Sequence, residues 1–118
     1  MATTYNIRGT LQIKKDNTTP CQFPINYSQE ITKQSSKTLI ISGPTADQVI
    51  DLSDIANVTV LTIISDKDIT LKLNSAATAT SAGKFFVFTG TTTAPITALS
   101  ITNALSENAI IQIIAGGN

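Results

Sequence analysis

Ile69, Leu71 and Leu73 alternate with Thr70 and Lys72, a period of two that puts one face on a core and the other toward water. The same rhythm recurs along the chain. Tyr5, Ile7, Leu11 and Ile13 alternate with Asn6, Arg8, Thr10 and Gln12, and Phe23, Ile25, Tyr27, Gln29 and Ile31 follow suit. Two stretches read as strand, polar turn, strand. Residues 58–63 precede a turn at Asp66-Lys67-Asp68 and the strand that starts at Ile69. Residues 96–101 precede a turn at Ser106-Glu107-Asn108 and a strand from Ala109. Each stretch is expected to be a hairpin.

Counting along the chain gives eight or nine short strands with turns about every ten residues, as in sandwiches and small barrels. The expected fold is all-β, a single-domain antiparallel β-sandwich (jelly-roll-like) of about eight short strands. Isoleucine and threonine, both β-branched and suited to a pleated surface, are the commonest residues. The 118 residues are expected to form one domain with a core that needs no staples, with possible flexible arms at 1–6 and 115–118.

Individual positions sharpen the reading. Gly9 within a strand suggests a bulge or a close backbone approach. Pro24 lacks a ladder donor, so its strand should lie at an edge or start late. Residues 34–37 read as a polar connector before a strand at 38–42 that Gly43-Pro44 ends. The segment 46–55 favours a strand at 48–52 and a turn at Ser53-Asp54. Residues 75–83 and 91–95 read as loops, and 116–118 as a frayed tail. Phe85 and Phe88 cannot both point inward. Ile111 and Ile113 share one face of the last strand, and Ile110 and Ile114 share the other. Strands apolar on both faces need two partners, the domain's own core and a second sheet or a neighbouring subunit.

Charge narrows the function. Charged residues are only 14% of the chain, and eight basic residues balance eight acidic ones. A nucleic-acid footprint needs a clustered basic excess. The single basic pair, Lys14-Lys15, is followed by Asp16 and reads as a solvated strand end. Zero net charge gives little colloidal repulsion and eases self-association. No apolar run approaches a membrane span. The first residues lack the basic and apolar regions of a signal peptide, so synthesis and residence in a cytoplasm are expected.

No chemical constellation emerges. Cys21 is the one cysteine and there is no histidine. A thiol nucleophile needs a base beside it, so Cys21 reads as a small, semi-buried side chain. Asp47, Asp51 and Asp54 would share a face if their segment were helical, and three carboxylates can hold calcium. The calcium-loop spacing and its glycine are absent, so they read as turn carboxylates. Asp66 and Asp68 suit a turn through bonds to local backbone. Paired carboxylates can hydrolyse glycosides, but no spacing selects a pair. Tyr5 and Tyr27 could stack on sugars, and loops 75–83 and 90–95 could frame a carbohydrate site. No phosphate loop, zinc spacing or nucleophile elbow occurs. The expectation is a chain with no catalytic, cofactor or metal residues, not an enzyme.

The run Leu61-Thr62-Ile63-Ile64-Ser65-Asp66-Lys67-Asp68-Ile69-Thr70-Leu71-Lys72-Leu73-Asn74 resembles a pattern in small structural proteins of tailed bacteriophages. There a strand ends in Ser-Asp and the next closes with Leu-Asn. Residues 96–103 and 109–116 look like the closing hairpin of those proteins, so the resemblance covers about residues 55–118. It implies a virion component, either a capsid decoration or cement protein or a head-fibre or tail accessory subunit. It implies as partners the chain itself, with a trimer favoured, and a major capsid or tail protein. No nucleic acid, membrane or cofactor is expected. The alternative is a carbohydrate- or receptor-binding β-sandwich module.

Overall fold

The computed structural model describes residues 3–13, 21–74, 76, 78–91 and 94–118. They form eight strands and no helix: β1 Thr3–Ile13, β2 Cys21–Ile31, β3 Lys33–Ile41, β4 Thr45–Ile50, β5 Val58–Leu73, β6 Thr80–Thr89, β7 Leu99–Asn103 and β8 Ala109–Gly117. Every strand pairing is antiparallel. The expected all-β, sandwich-like architecture is therefore the one observed.

β1 and β2 form a two-stranded hairpin of their own. The other six make one sheet in the order β3-β8-β5-β7-β4, with β6 on the far side of β5. The organising element is β5, which runs for 16 residues. Its first half pairs with β8, its second half with β7, and β6 follows both halves along the opposite edge. Between them the register against β6 breaks, from Ile64 to Ile69. A bulge of this kind bends a strand and increases its twist. The sheet curls at this corner, and both halves contribute to one hydrophobic cluster. Leu61 and Ile63 from the first half and Ile69 and Leu71 from the second join Ile101 of β7 and Ile111 and Ile113 of β8. Leu52 and Ile55, in the loop after β4, complete it.

The two expected hairpins are not hairpins. Asp66-Lys67-Asp68 lies within β5 and does not reverse the chain. The Ser65 hydroxyl explains the local geometry. It accepts from the Lys67 amide at 3.1 Å and donates to the Lys67 carbonyl at 2.7 Å, holding a corner and not a turn. The Asp66 carboxylate accepts from the Ile110 amide at 2.8 Å, and Lys67 pairs with Glu107 at 2.9 Å. Likewise β7 and β8 do not pair with each other. Both pair with β5, on successive halves, so the polar segment between them carries the chain across the fold.

Smaller expectations are also corrected. The connector 34–37 is part of β3, paired residue for residue with β8, because a backbone ladder does not require apolar side chains. The strand expected at 48–52 spans Thr45–Ile50, and the turn at Ser53-Asp54 is present. β6 begins at Thr80, inside the segment read as a loop. Gly9 sits in regular register with nothing near the position of an added Cβ, so it is neither bulge nor close approach. The tail is paired: Gly116 and Gly117 are buried in β8, and Asn118 exchanges two backbone hydrogen bonds with Asn57, at 3.0 and 3.1 Å. A Cβ on Gly117 would run into the Asn57 carbonyl. Pro24 does lie in an edge strand, since β2 has β1 as its one neighbour. Lys14, Lys15 and the turn at 16–20 fall outside the described residues, as does the Cys21 side chain.

Candidate functional site

Alternation along the paired strands sorts side chains into an inner and an outer face. Leu61, Ile63, Ile111 and Ile113 point inward and are fully buried. Phe86 and Phe88 of β6, opposite Ile63 and Leu61, pack on the same core. The residues between them point outward. Thr62 lies between Ile114 and Val87, and Ile64 lies between Gln112 and Phe85. Ile40 faces Ile110 across β3 and β8. The apolar ones are exposed, Phe85 by 63%, Ile40 by 64% and Ile110 by 50%. A polar, solvated outer face was open to this sheet, and the sequence places isoleucine, valine and phenylalanine there instead.

The β1–β2 hairpin crosses part of this face. Its base is seated by specific contacts. Tyr5 and Thr62 share a hydrogen bond between hydroxyls at 2.7 Å, and the Gln29 amide donates to the Thr59 hydroxyl at 2.7 Å. Thr59 is the bulge residue between Val58 and Val60 in the register with β8. Ile31 packs against Gly116, where the missing side chain lets the hairpin approach, and Val60, opposite Gly116, is fully buried. Beyond the base the hairpin is amphipathic. Ile7, Leu11, Phe23, Ile25 and Tyr27 share the face of Tyr5, whereas Arg8, Thr10, Gln22 and Asn26 share the other.

Past Tyr5 the apolar face of the hairpin is only partly covered. Ile7, Ile25 and Tyr27 roof a cleft of about 350 Å³ whose floor is Phe85, Val87 and Thr89. Further out, Leu11 and Phe23 are 53% and 59% exposed. The hairpin thus extends as an arm. The radius of gyration is 15.6 Å, against about 13.5 Å for a compact chain of this length.

The remaining candidates do not converge. Asp47 pairs with Lys72 at 3.2 Å beside β7, Asp51 accepts from the Ser53 amide at 2.9 Å, and Asp54 accepts from Ser35 at 3.3 Å. Each carboxylate has its own protein partner. Hydrogen bonds from the Ser53 side chain and backbone, with the nearby Lys37 charge, hold the Asp51 carboxyl below the usual carboxylate range. A cleft of about 500 Å³ beside Asp51 is otherwise lined by Ser53, Thr97 and apolar residues, and brings no second carboxylate to the first. Asp66 and Asp68 belong to the β5 corner. The Tyr27 hydroxyl is turned to Gln29 at 2.7 Å, so both tyrosine hydroxyls are engaged within the protein. Among the described residues no group of three or more His, Cys, Asp or Glu side chains could hold a metal ion, and no helix is long and apolar enough to cross a membrane.

The outer face was legible in part, as apolar residues on both sides of β6 and β8. The arm was not. Its amphipathic pattern is visible in β1 and β2, but the same pattern fits two strands of a sandwich. No family model, curated protein or solved structure matches the chain.

Proposed function

We propose that this chain is a non-enzymatic structural subunit that works by self-association and by attachment to a larger shell. The observation that carries the reading is the outer face of the six-stranded sheet. It exposes Ile40, Ile64, Phe85, Val87, Ile110 and Ile114 among polar Thr62 and Gln112, and the arm lies across part of it. Isolated exposed apolar residues are ordinary, but a contiguous patch of several hundred Å² marks an interaction site. Strands apolar on both faces find their second partner when copies pack together, and a closed ring satisfies such faces without runaway polymerisation. A homo-oligomer follows, with a trimer favoured.

The resemblance of residues 61–74 and 96–116 to bacteriophage structural proteins supplies the setting. In this reading the shell is a virion, and the chain is a capsid decoration or cement protein, or a head-fibre or tail accessory subunit that contacts a major capsid or tail protein. Sedimentation and light scattering of the purified chain test the self-association. A multiple of 12.5 kDa is expected, and a sharp single-chain mass at high concentration overturns it. Immunoblotting of purified virions from the source tests the setting.

A further inference from the structure

We infer that the β1–β2 hairpin is a latched flap: Tyr5 and Gln29, on one rung of the hairpin, hold it to β5, and their release lets it swing off the six-stranded sheet as a unit and uncover Val60.

The mode of attachment comes first. Among the described residues, β1 and β2 pair with each other and with no strand of the larger sheet. No backbone ladder has to break for them to leave it. The chain passes from one sheet to the other through a single residue, Thr32, between the end of β2 and the start of β3. The Thr32 amide donates to the Gly117 carbonyl at 2.9 Å, and Ile31 is buried against Gly116. Ile31 and Thr32 therefore form the pivot.

The latch lies just beyond it. Tyr5 and Gln29 are opposite each other in the register, so their side chains stand together on one face. The Tyr5 hydroxyl shares a hydrogen bond with the Thr62 hydroxyl at 2.7 Å, and the Gln29 amide donates to the Thr59 hydroxyl at 2.7 Å. The other end of the Gln29 amide accepts from the Tyr27 hydroxyl at 2.7 Å, which turns its nitrogen toward Thr59. All these groups are neutral, and each can bond to water when the hairpin lifts. Hydrogen bonds of that kind contribute little net free energy, so the latch is reversible.

Packing changes on either side of this rung. Beneath the base, Val60 lies opposite Gly116 and is fully buried, and an added Cβ on Gly116 would meet Ile31 and Tyr5. Past the rung the hold loosens. A cleft of about 350 Å³ separates Ile7, Ile25 and Tyr27 from Phe85, Val87 and Thr89. At the tip Leu11 and Phe23 are more than half exposed. A segment with few buried contacts opens well below the free energy of global unfolding, and a two-stranded hairpin adds little stability of its own.

The test places a thiol under the flap, as Val60→Cys in a Cys21→Ser background, and follows its reaction with a maleimide. Labelling should proceed at a rate that low urea does not change, because the sheet stays folded. Tyr5→Phe and Gln29→Ala should each raise that rate roughly 2- to 10-fold, the worth of one neutral hydrogen bond, with circular dichroism unchanged. Asn6→Ala removes a bond to Ser28 that stays within the hairpin, and it should leave the rate alone. Labelling that climbs with urea in step with global unfolding, or that neither latch variant changes, overturns the flap. An equal rise with Asn6→Ala overturns the latch. Hydrogen exchange on the chain without the added thiol is the second measurement. The β1 and β2 amides should exchange together, ahead of those of β5 and β8, and faster still in Tyr5→Phe. Exchange of all four strands in step sinks the proposal.

Discussion

Asn103 is a buried polar side chain whose hydrogen bonds join separate segments. It is fully buried, donates to the carbonyls of Ile41 and Glu107 at 3.1 and 2.7 Å, and accepts from the Leu105 amide at 3.1 Å. It ties the end of β3 to the segment between β7 and β8. Asn103→Ala leaves buried backbone groups unpaired, at about 1–3 kcal/mol for each such loss. Thermal denaturation should show a melting temperature lower by several degrees, and an unchanged value would refute the role. Asn74 does similar work at the end of β5. It sits at φ 55°, a region asparagine tolerates, and accepts from the Thr97 amide at 2.6 Å. Gly117→Ala drives a methyl into a carbonyl fixed by the Asn57–Asn118 pairing. Overpacking of this kind costs about 1–3 kcal/mol, and a denaturant titration should show it. Ser53→Ala should return the Asp51 carboxyl toward its ordinary range, read by NMR titration. Because that carboxyl is held low, its contribution is present above the ordinary carboxylate value and is lost as pH falls through the lowered one. For Lys67, raised by Glu107, the sign is opposite. Its contribution is present below the ordinary lysine value and is lost as pH rises through the raised one. Glu107→Gln should therefore flatten the alkaline side of a stability profile.

At the scale of elements, β8 separates core from exposed surface within one strand. Ile111 and Ile113 are buried in the cluster that joins both halves of β5, whereas Ile110 and Ile114 are 50% and 40% exposed. Truncating a buried isoleucine to alanine costs roughly 2–5 kcal/mol, and a domain holds only about 5–15 kcal/mol. Ile111→Ala with Ile113→Ala should therefore unfold the chain or nearly so. Ile110→Ala with Ile114→Ala should leave the melting temperature of the single chain almost unchanged and weaken assembly. Melting and mass measured on both variants check this. Equal destabilisation by the two pairs, with no change in assembly, would place both faces inside the fold. β5 shows where the pattern stops being informative. Its apolar first half and amphipathic second half are visible in the residues. Whether Asp66-Lys67-Asp68 reverses the chain or bends it depends on what lies on either side. Here β6 runs alongside both halves, and the Ser65 hydroxyl occupies the backbone groups that a tight turn would have used.

For the whole molecule, alternation of apolar and polar residues and a high content of β-branched residues suffice to set the class, because only a pleated strand gives a side-chain period of two. They also set the near-correct strand number and the partition of β8 into two faces. No part of that reasoning needs a neighbour. The pairing order needs one at every step. β7 and β8 follow each other in sequence and were expected to pair, yet β5 lies between them, since a long bent strand can satisfy two ladders that a hairpin would leave as edges. The candidate site divides in the same way. Outward isoleucines and phenylalanines follow from alternation once one face is known to be buried. The arm arises only because β1 and β2 pair with each other and with no strand of the larger sheet, and local sequence does not encode that choice. Gly116 and Gly117 read as a loose end for the same reason. Their lack of side chains signals mobility when the strand is taken alone, and close packing once Ile31 and Asn57 are seen against them.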